Sequence, residues 1–426
     1  MITTILFIVL IILLVCRVPV AVALGAASVT ALLVDGDIPL IVVGQRMIAA
    51  NDSFPLLAVP FFMFAGAIMT QGGLSRRLVN FAQSIVGSLR GGLAMVATVA
   101  AMFFAAISGS SAATTAAVGA SLIPAMKEKG YAEDFSAATV AAAGTTGLVI
   151  PPSTALVVYG VVTGTSIGEL FLGGFIPGLL MGLAMMTVIY IMATKRGYQG
   201  EARSSLATVG KTFVEAIWGI MMPVIILGGI YGGIFTPTES AAVACVYGLF
   251  VSMVIYREVK VTDIMKIVKS AIFATAITLF ILATAGLFGW FLVANNIPQQ
   301  MAAAMTAISR NPIVIVMIIN VFLLFVGMFL NVTAAISILA PIFFPIVVGL
   351  GVDPVAFGVI MTVNLAIGCI TPPVGVDLFV AQSISGISLE RISKAALPFL
   401  LALIIVLVLI SVFPQLITVI PKTMKG

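Results

Sequence analysis

The sequence predicts an all-α polytopic membrane protein made of two repeated halves. Of the 426 residues, 62% are hydrophobic and only 8% are charged, a composition typical of chains embedded in a bilayer. Apolar runs of about 15 to 25 residues follow one another from end to end, which suits transmembrane helices. In addition, the stretch 144–153 recurs 221 residues later as 365–374. Each copy interrupts an apolar run, so the interruption is part of the predicted fold.

The repeated stretch is expected to break one membrane helix in each half. Proline has no backbone N–H, so the carbonyl oxygen four residues before it loses its helical partner. In a membrane such a break is tolerated where the backbone is buried in protein or lines a cavity, and paired breaks mark transport sites. The prolines are Pro151, Pro152, Pro372 and Pro373, and the freed carbonyls are predicted at Gly147, Leu148, Gly368 and Cys369.

Charge and cysteine usage exclude several other classes of protein. The net charge of +5 comes from Lys and Arg residues in the short gaps between apolar runs, so it indicates topology and not a nucleic-acid surface. Cys16, Cys245 and Cys369 are too far apart for a disulfide framework or a metal-binding motif. The chain has no histidine and no nucleophile or phosphate-loop motif. An enzyme is therefore not expected, and neither is a purely structural scaffold, in which paired helix breaks would serve no purpose.

The first half, residues 1–205, is expected to begin with three scaffold helices and an amphipathic arm. The run 2–15 has no basic residue before it and no cleavage site after it, so it should remain as a helix and not a signal peptide. Two runs of about 15 residues then flank a Ser-rich tip and are too short to cross, which predicts a re-entrant hairpin. The predicted elements are scaffold helices within 1–70, the arm 75–90, hairpin 1 at 93–126, the broken helix 132–164 and a last helix 170–194.

The second half, residues 222–426, repeats this order after a connector at 206–221. By hydropathy alone both limbs of its hairpin are long enough to cross, but the repeat favours a second re-entrant hairpin. The predicted elements are scaffold helices within 222–294, the arm 298–309, hairpin 2 at 313–350, the broken helix 354–385 and a last helix 396–413.

Five crossings in each half would make the second half inverted relative to the first. With both termini outside, the inner loops hold Arg17 and most other basic residues, as the positive-inside rule requires. The hairpins then enter from opposite faces, which is the layout of alternating access around a central site. Only four of the 20 Lys and Arg residues fall outside, namely Arg46, Arg310, Lys422 and Lys425. The outer loop 35–52 is expected to face a partner on that side.

Uncharged oxygens at the hairpin tips and breaks indicate sodium sites. Ser, Thr, Asn and free carbonyl groups are hard donors that suit Na⁺ better than a transition metal, and at least two sites are expected. The first set is Ser108 and Ser110 with the backbone of Gly147, Ile150 and Pro152; the second is Asn331 and Thr333 with Gly368, Thr371 and Pro373.

An anionic substrate is expected between the two clusters, where half-helices starting near Ser111 and Thr333 direct the positive ends of their dipoles. Asp377, a carboxylate within the membrane, either handles ion or substrate or pairs with a backbone group or an Arg. An alternative is that the small polar residues only pack helices closely and that the prolines only kink them. The predicted substrate-binding residues are Ser108, Ser111, Thr114, Thr145, Thr146, Ser153, Asn331, Asn364 and Asp377.

The whole chain resembles the large membrane subunit of the tripartite ATP-independent periplasmic (TRAP) transporters. The resemblance rests on the tip 108–114, on the breaks with Gly147 and Thr371, and on the tip Asn331 to Thr333. It implies an elevator-type, sodium-driven carrier of the bacterial inner membrane, without another cofactor, in which hairpins and broken helices move against the remaining helices. It also implies a separate small four-helix membrane subunit and a periplasmic binding protein that delivers an organic acid.

The sequence is most similar to the sialic acid branch of that family, although no residue excludes C4-dicarboxylates. The alternative within transport is a stand-alone sodium/divalent-anion symporter, which shares hairpins and an inverted repeat but needs no partner.

Overall fold

The computed structural model describes residues 2–16 and 18–424, which form helices connected by short turns and contain no β-strand. The all-α prediction is confirmed. Arg17 and Lys425, which entered the topology prediction, lie outside the described residues. We number the helices α1 to α20 in chain order.

The described residues of the first half form ten α-helices. They are α1 Ile2–Val15, α2 Val20–Asp35, α3 Ile41–Asn51, α4 Ala58–Gln71, α5 Leu74–Val86, α6 Gly92–Ser108, α7 Ser111–Glu128, α8 Glu133–Gly144, α9 Thr154–Thr163 and α10 Ile167–Arg196. Short 3₁₀ segments precede α4 at Phe54–Leu57 and follow α8 at Thr145–Leu148.

The described residues of the second half also form ten α-helices. They are α11 Leu206–Tyr231, α12 Pro237–Phe250, α13 Val261–Ala294, α14 Ile297–Ile308, α15 Pro312–Gly327, α16 Val332–Gly349, α17 Pro354–Gly368, α18 Val376–Ser385, α19 Leu389–Val412 and α20 Gln415–Thr423. A π-helical turn at Val251–Ile255 extends α12.

Two helices were not predicted. The segment expected to be the outer loop 35–52 contains α3, which packs against α13 and places the Arg46 guanidinium 4.8 Å from the centre of the Trp290 ring. Its apolar run is interrupted by Gly44, Gln45 and Arg46, so hydropathy did not reveal it. The second is α20, a short amphipathic helix after the last span.

The predicted connector 206–221 is not a separate linker. It forms the beginning of α11, a single helix of 26 residues. The segment was predicted as a connector because it falls between the two repeated halves, whereas in the helix Lys211 and Glu215 lie one turn apart on the exposed side. Similarly, α13 begins at Val261, ten residues before the apolar run that was predicted to start at residue 271. The apolar run starts later because the first turns of the helix carry the exposed charges of Lys266 and Lys269.

The two hairpins match in length. The limbs of hairpin 1, α6 and α7, have 17 and 18 residues, and those of hairpin 2, α15 and α16, have 16 and 18. The prediction that both limbs of hairpin 2 are long enough to cross was wrong for α15, because this helix ends at Gly327 and the chain turns before Asn331.

Seven helices among the described residues are long and apolar enough to cross a membrane, or eight if the sharply bent pair α14 and α15, at 117°, forms one span. The short helices α1 and α2 and the pieces of the two broken helices are outside this count. The expected five crossings in each half, and the inverted orientation, therefore stay predictions.

Helices from different halves pack directly against each other around the breaks. α7 of the first hairpin contacts α18 of the second broken helix, and α9 of the first broken helix contacts α16 of the second hairpin. Tyr159 on α9 donates a hydrogen bond to the carbonyl oxygen of Pro354, 3.1 Å away, and its ring lies on Gly358 of α17. The functional segments of both halves thus share one core.

Substitution of Gly358 by Ala should loosen this core. A Cβ at position 358 would overlap the Tyr159 ring, and overpacking of this kind costs about 1–3 kcal/mol. We expect Gly358→Ala to lower the Tm of the purified protein. Gly349→Ala is the matched control, because a Cβ there has nothing within 4 Å and Ala favours the helix. An equal Tm for the two variants would contradict the packing described.

Candidate functional site

The tip of hairpin 1 is fastened to the first helix break. Both the hydroxyl and the amide of Thr154 donate hydrogen bonds to the carbonyl oxygen of Gly109, at 2.8 and 3.3 Å. Gly109 has a positive φ of 61°, and a Cβ there would lie 3.0 Å from the Pro152 carbonyl oxygen. Glycine is therefore needed both for the turn and for the close approach.

Three oxygens converge at this tip. The Ser108 hydroxyl lies 2.8 Å from the Thr114 hydroxyl and 3.2 Å from the Ser110 carbonyl oxygen, to which Thr114 also donates at 2.8 Å. A Cβ on Gly147 would lie 2.5 Å from both the Ser110 carbonyl oxygen and the Thr114 hydroxyl. The backbone of the break thus touches the oxygens of the hairpin, and the sodium ligands assigned to this region stay a prediction. The Ser110 hydroxyl differs: it caps α7 by accepting from the amide of Ala113.

Three of the four carbonyls predicted to be freed by proline have replacement partners. The Leu148 oxygen accepts from the Ser153 hydroxyl, the Cys369 oxygen from the Asp377 amide at 3.0 Å, and the Gly368 oxygen from the Thr371 amide at 3.0 Å. Within the described residues the Gly147 oxygen accepts no hydrogen bond. Gly147 itself lies against the Ser110 and Thr114 oxygens, and its carbonyl oxygen is free to accept a further bond. The two Pro-Pro bonds, 151–152 and 372–373, are both cis.

The remaining residues of the first break are largely engaged in local bonds. The hydroxyls of Thr145 and Thr146 donate to the carbonyls of Ala142 and Ala143, each at 2.7 Å, and both side chains are fully buried. Ser153 also accepts from the Leu156 amide and so begins α9. The Ile150 amide donates to the Thr146 oxygen at 2.9 Å. These bonds hold the irregular backbone in one shape.

The second hairpin and break approach each other through glycine. A Cβ on Gly368 would lie 2.6 Å from the carbonyl carbon and oxygen of Gly327. The Asn331 side chain caps α16 by accepting from the Thr333 amide at 2.9 Å, and the Thr371 hydroxyl donates to the Ile367 oxygen at 2.8 Å. Among the described residues no hydrogen bond joins this tip to this break, and Asn331 and Pro373 are exposed. The second cluster is thus more open than the first.

A chain of buried polar side chains, of which only Asn364 was predicted, lies next to the second break. Asn364 donates to the backbone and side-chain oxygens of Asn320 at 2.9 and 3.0 Å, and Asn320 donates to the Ser411 hydroxyl at 2.8 Å. The Asn364 side-chain oxygen has no partner. Asn320 and Ser411 were missed although each is polar within an apolar run, which is itself a signal of function or of helix pairing.

Asp377 lies in the first turn of α18 and is completely buried. Ser111, at the start of α7, lies beside it, but neither carboxylate oxygen has the geometry of a hydrogen bond. The alternative that Asp377 pairs with a backbone group or an Arg is not seen, because only its amide is bonded, to Cys369. Asp377 lies on α18, which contacts α7 of the other half.

Of the other predicted residues, Ser108, Ser110 and Thr114 come together beside Gly147. No hydrogen bond among the described residues joins Asn331 to Thr371, and the side chains of Thr145, Thr146, Ser153 and Asn364 are bonded elsewhere.

Two broken helices, each in contact with a hairpin tip and surrounded by uncharged oxygens, define a membrane transporter. Residues 7–416 match the family described as "Tripartite ATP-independent periplasmic transporter, DctM component". The chain belongs to this family, as the resemblance implied.

Named relatives differ in their substrates. The chain is 47% identical to the isethionate TRAP transporter permease protein of Oleidesulfovibrio alaskensis over 95% of its own length, but it spans only 64% of that protein. It is 45% identical to the C4-dicarboxylate TRAP transporter large permease protein of Pseudomonas aeruginosa, covering 88% of each chain. It is 40% identical to the sialic acid large permease protein of Vibrio cholerae, covering 90% of each.

A solved structure shares the fold at low sequence identity. The Alcanivorax borkumensis YdaH transporter, whose crystal structure is described as having an unusual topology, matches with a TM-score of 0.64 and 15% identity over 87% of this chain and 86% of that one. This likeness agrees with a polytopic helical membrane protein.

Substitution of Gly147 by Ala should separate the first break from the hairpin tip. The new methyl group would lie 2.5 Å from the Ser110 carbonyl oxygen and the Thr114 hydroxyl, far inside contact distance. We expect faster hydrogen–deuterium exchange in peptides that cover residues 108–115. Gly44→Ala, whose Cβ would meet nothing within 4 Å, should leave these peptides unchanged. Unaltered exchange in Gly147→Ala would show that the tip and the break do not depend on each other.

Proposed function

We propose that this chain is the large permease subunit of a sodium-coupled tripartite transporter that imports an organic acid by an elevator mechanism. The observation that carries the proposal is the first oxygen cluster, in which the Ser108 and Thr114 hydroxyls and the Ser110 carbonyl oxygen converge next to Gly147, whose own oxygen accepts no hydrogen bond within the described residues. Uncharged hard oxygens of this kind, at a helix break, suit Na⁺. The Gly368, Thr371 and Asn331 region of the second half is the proposed second sodium site.

The substrate would bind between the two hairpin tips, where α7 and α16 begin. The N-terminal ends of both helices carry partial positive charge, which favours an anion. Sialic acid, C4-dicarboxylates and isethionate, the substrates in the names of the relatives, are all organic anions. We favour sialic acid, which the residue pattern suggested, with a C4-dicarboxylate as the next candidate; the relatives named for isethionate and C4-dicarboxylates share more sequence identity with this chain.

The moving body would consist of α6–α10 and α15–α20, and the scaffold of α1–α5 and α11–α14. A cavity of about 460 Å³ separates scaffold residues such as Ala50 and Trp290 from Val161 of α9 and Ser337 of α16. Incomplete packing along this boundary supports a sliding movement of one body against the other. A small four-helix membrane subunit would associate with this chain in the bacterial inner membrane, and a periplasmic binding protein would deliver the substrate.

Reconstitution tests the tripartite assignment. In proteoliposomes we expect uptake of labelled sialic acid only when this chain, its small subunit and the binding protein are all present with an inward sodium gradient. Parallel assays with succinate and isethionate identify the substrate. Uptake by this chain alone would instead support a stand-alone sodium/divalent-anion symporter.

Two single substitutions test the sodium clusters. Ser108→Ala removes one of the converging oxygens, and Thr333→Val removes the hydroxyl at the second tip with almost no change of shape. We expect each to raise the sodium concentration that gives half-maximal uptake, because each ion loses an oxygen ligand. Thr278→Val in the scaffold helix α13 is the control and should behave as the unsubstituted protein. Unchanged sodium dependence in both test variants would mean that the tips serve only for packing.

A further inference from the structure

A carboxyl group without a counter-charge is buried at the meeting point of the two halves. Asp377 has no exposed surface, and neither of its carboxylate oxygens has a hydrogen-bond partner within the described residues. None of the ion pairs among those residues includes it. A lone carboxylate is strongly disfavoured away from water, so the group needs a cation or a proton to be neutral.

Hydroxyl oxygens on α7 provide further ligands next to this carboxyl group. Ser111 lies beside Asp377, and Thr115 follows one turn later on the same face of α7, with a buried hydroxyl that has no partner. Gly144 of α8 lies against this face: a Cβ there would overlap the Thr115 hydroxyl and lie 3.2 Å from the Ser111 carbonyl oxygen. The absence of a side chain at position 144 therefore lets the buried Thr115 hydroxyl lie directly against α8.

We propose that Asp377, Ser111 and Thr115 hold a further sodium ion between α7 and α18. The inference rests on the sodium coupling in the proposed function. Carboxylate and hydroxyl oxygens are hard ligands that match an alkali cation, and the ion would neutralise the only charge in this region of the described core. This site differs from the two oxygen clusters because it contains a formal negative charge and takes its ligands from both halves.

Occupation of this site would join the first hairpin to the second break. Ser111 directly follows the cluster residue Ser110, and the Asp377 amide holds the Cys369 oxygen next to Gly368. An ion between Ser111 and Asp377 would therefore fix the positions of both clusters relative to each other. Sodium binding at the three sites should be cooperative, and the substrate site should form only when this ion is present.

Direct sodium binding tests the proposal. The complex of this chain with its small subunit is purified, and bound radioactive sodium is measured at constant ionic strength without substrate. Asp377→Asn, which is nearly isosteric, should bind one sodium ion fewer per chain than the unsubstituted protein at saturation. Ser111→Ala and Thr115→Val, which retain the carboxylate, should bind the full number with weaker affinity. Ser252→Ala, which removes a buried and unpartnered hydroxyl in the scaffold, should change nothing.

The possible results separate this inference from the proposed function. If the unsubstituted protein binds sodium and Asp377→Asn binds the same number of ions, the further site does not exist. If Asp377→Asn keeps the sodium number but uptake loses its dependence on pH, the carboxyl group carries a proton, which also overturns the proposal. If the unsubstituted protein binds no sodium, the proposed coupling itself fails. Should Asp377→Asn not fold, weaker sodium binding in Ser111→Ala and Thr115→Val decides the question, and unchanged affinity in both overturns it.

Discussion

The structure depends on one constraint: a backbone carbonyl oxygen inside a membrane must find a partner when proline removes its helical one. At three of the four positions, nearby hydroxyl or amide groups donate a replacement hydrogen bond to the carbonyl oxygen. Ser153 donates to Leu148, and the amides of Asp377 and Thr371 donate to Cys369 and Gly368. Within the described residues the fourth oxygen, at Gly147, accepts no hydrogen bond. Gly147 lies against the hairpin oxygens of Ser110 and Thr114, which is why the first sodium ion is proposed there.

Glycine residues in the breaks allow the backbone to approach the hairpins closely. Gly147 and Gly368 each contact a hairpin through backbone atoms that a methyl group would displace. Because the oxygens of a sodium site must lie within a few ångströms of one ion, such contact is a condition for the site and not only a packing detail. The two breaks nevertheless differ, since hydrogen bonds from Thr154 fasten the first tip and none joins the second tip to its break among the described residues. The second hairpin therefore meets its break through close backbone contact between Gly327 and Gly368.

The sequence predicted the elements that follow from hydrophobicity and proline, and it failed where charge or polarity had a local structural explanation. Both broken helices were located because Pro-Pro within an apolar run has an unambiguous effect. The connector was misassigned because the repeat leaves residues 206–221 between the matching halves without indicating their structure, and α3 was missed because Arg46 and its neighbours interrupt a short run. The Asn364–Asn320–Ser411 chain requires contact between residues from three helices, which one sequence without relatives cannot reveal.

The position of Asp377 gives a physical reason for coupling between the halves. Each oxygen cluster alone is neutral and is built largely from one half, so filling one cluster need not affect the other. The Asp377 carboxyl group, on α18 where it contacts α7, would make the two clusters depend on each other. Neutralising its charge favours the arrangement in which α7 and α18 are in contact. An unneutralised carboxylate would instead favour separation of the helices and entry of water. In the proposed mechanism, the charge of one side chain therefore links the occupancy of the ion sites to the conformation that accepts the substrate.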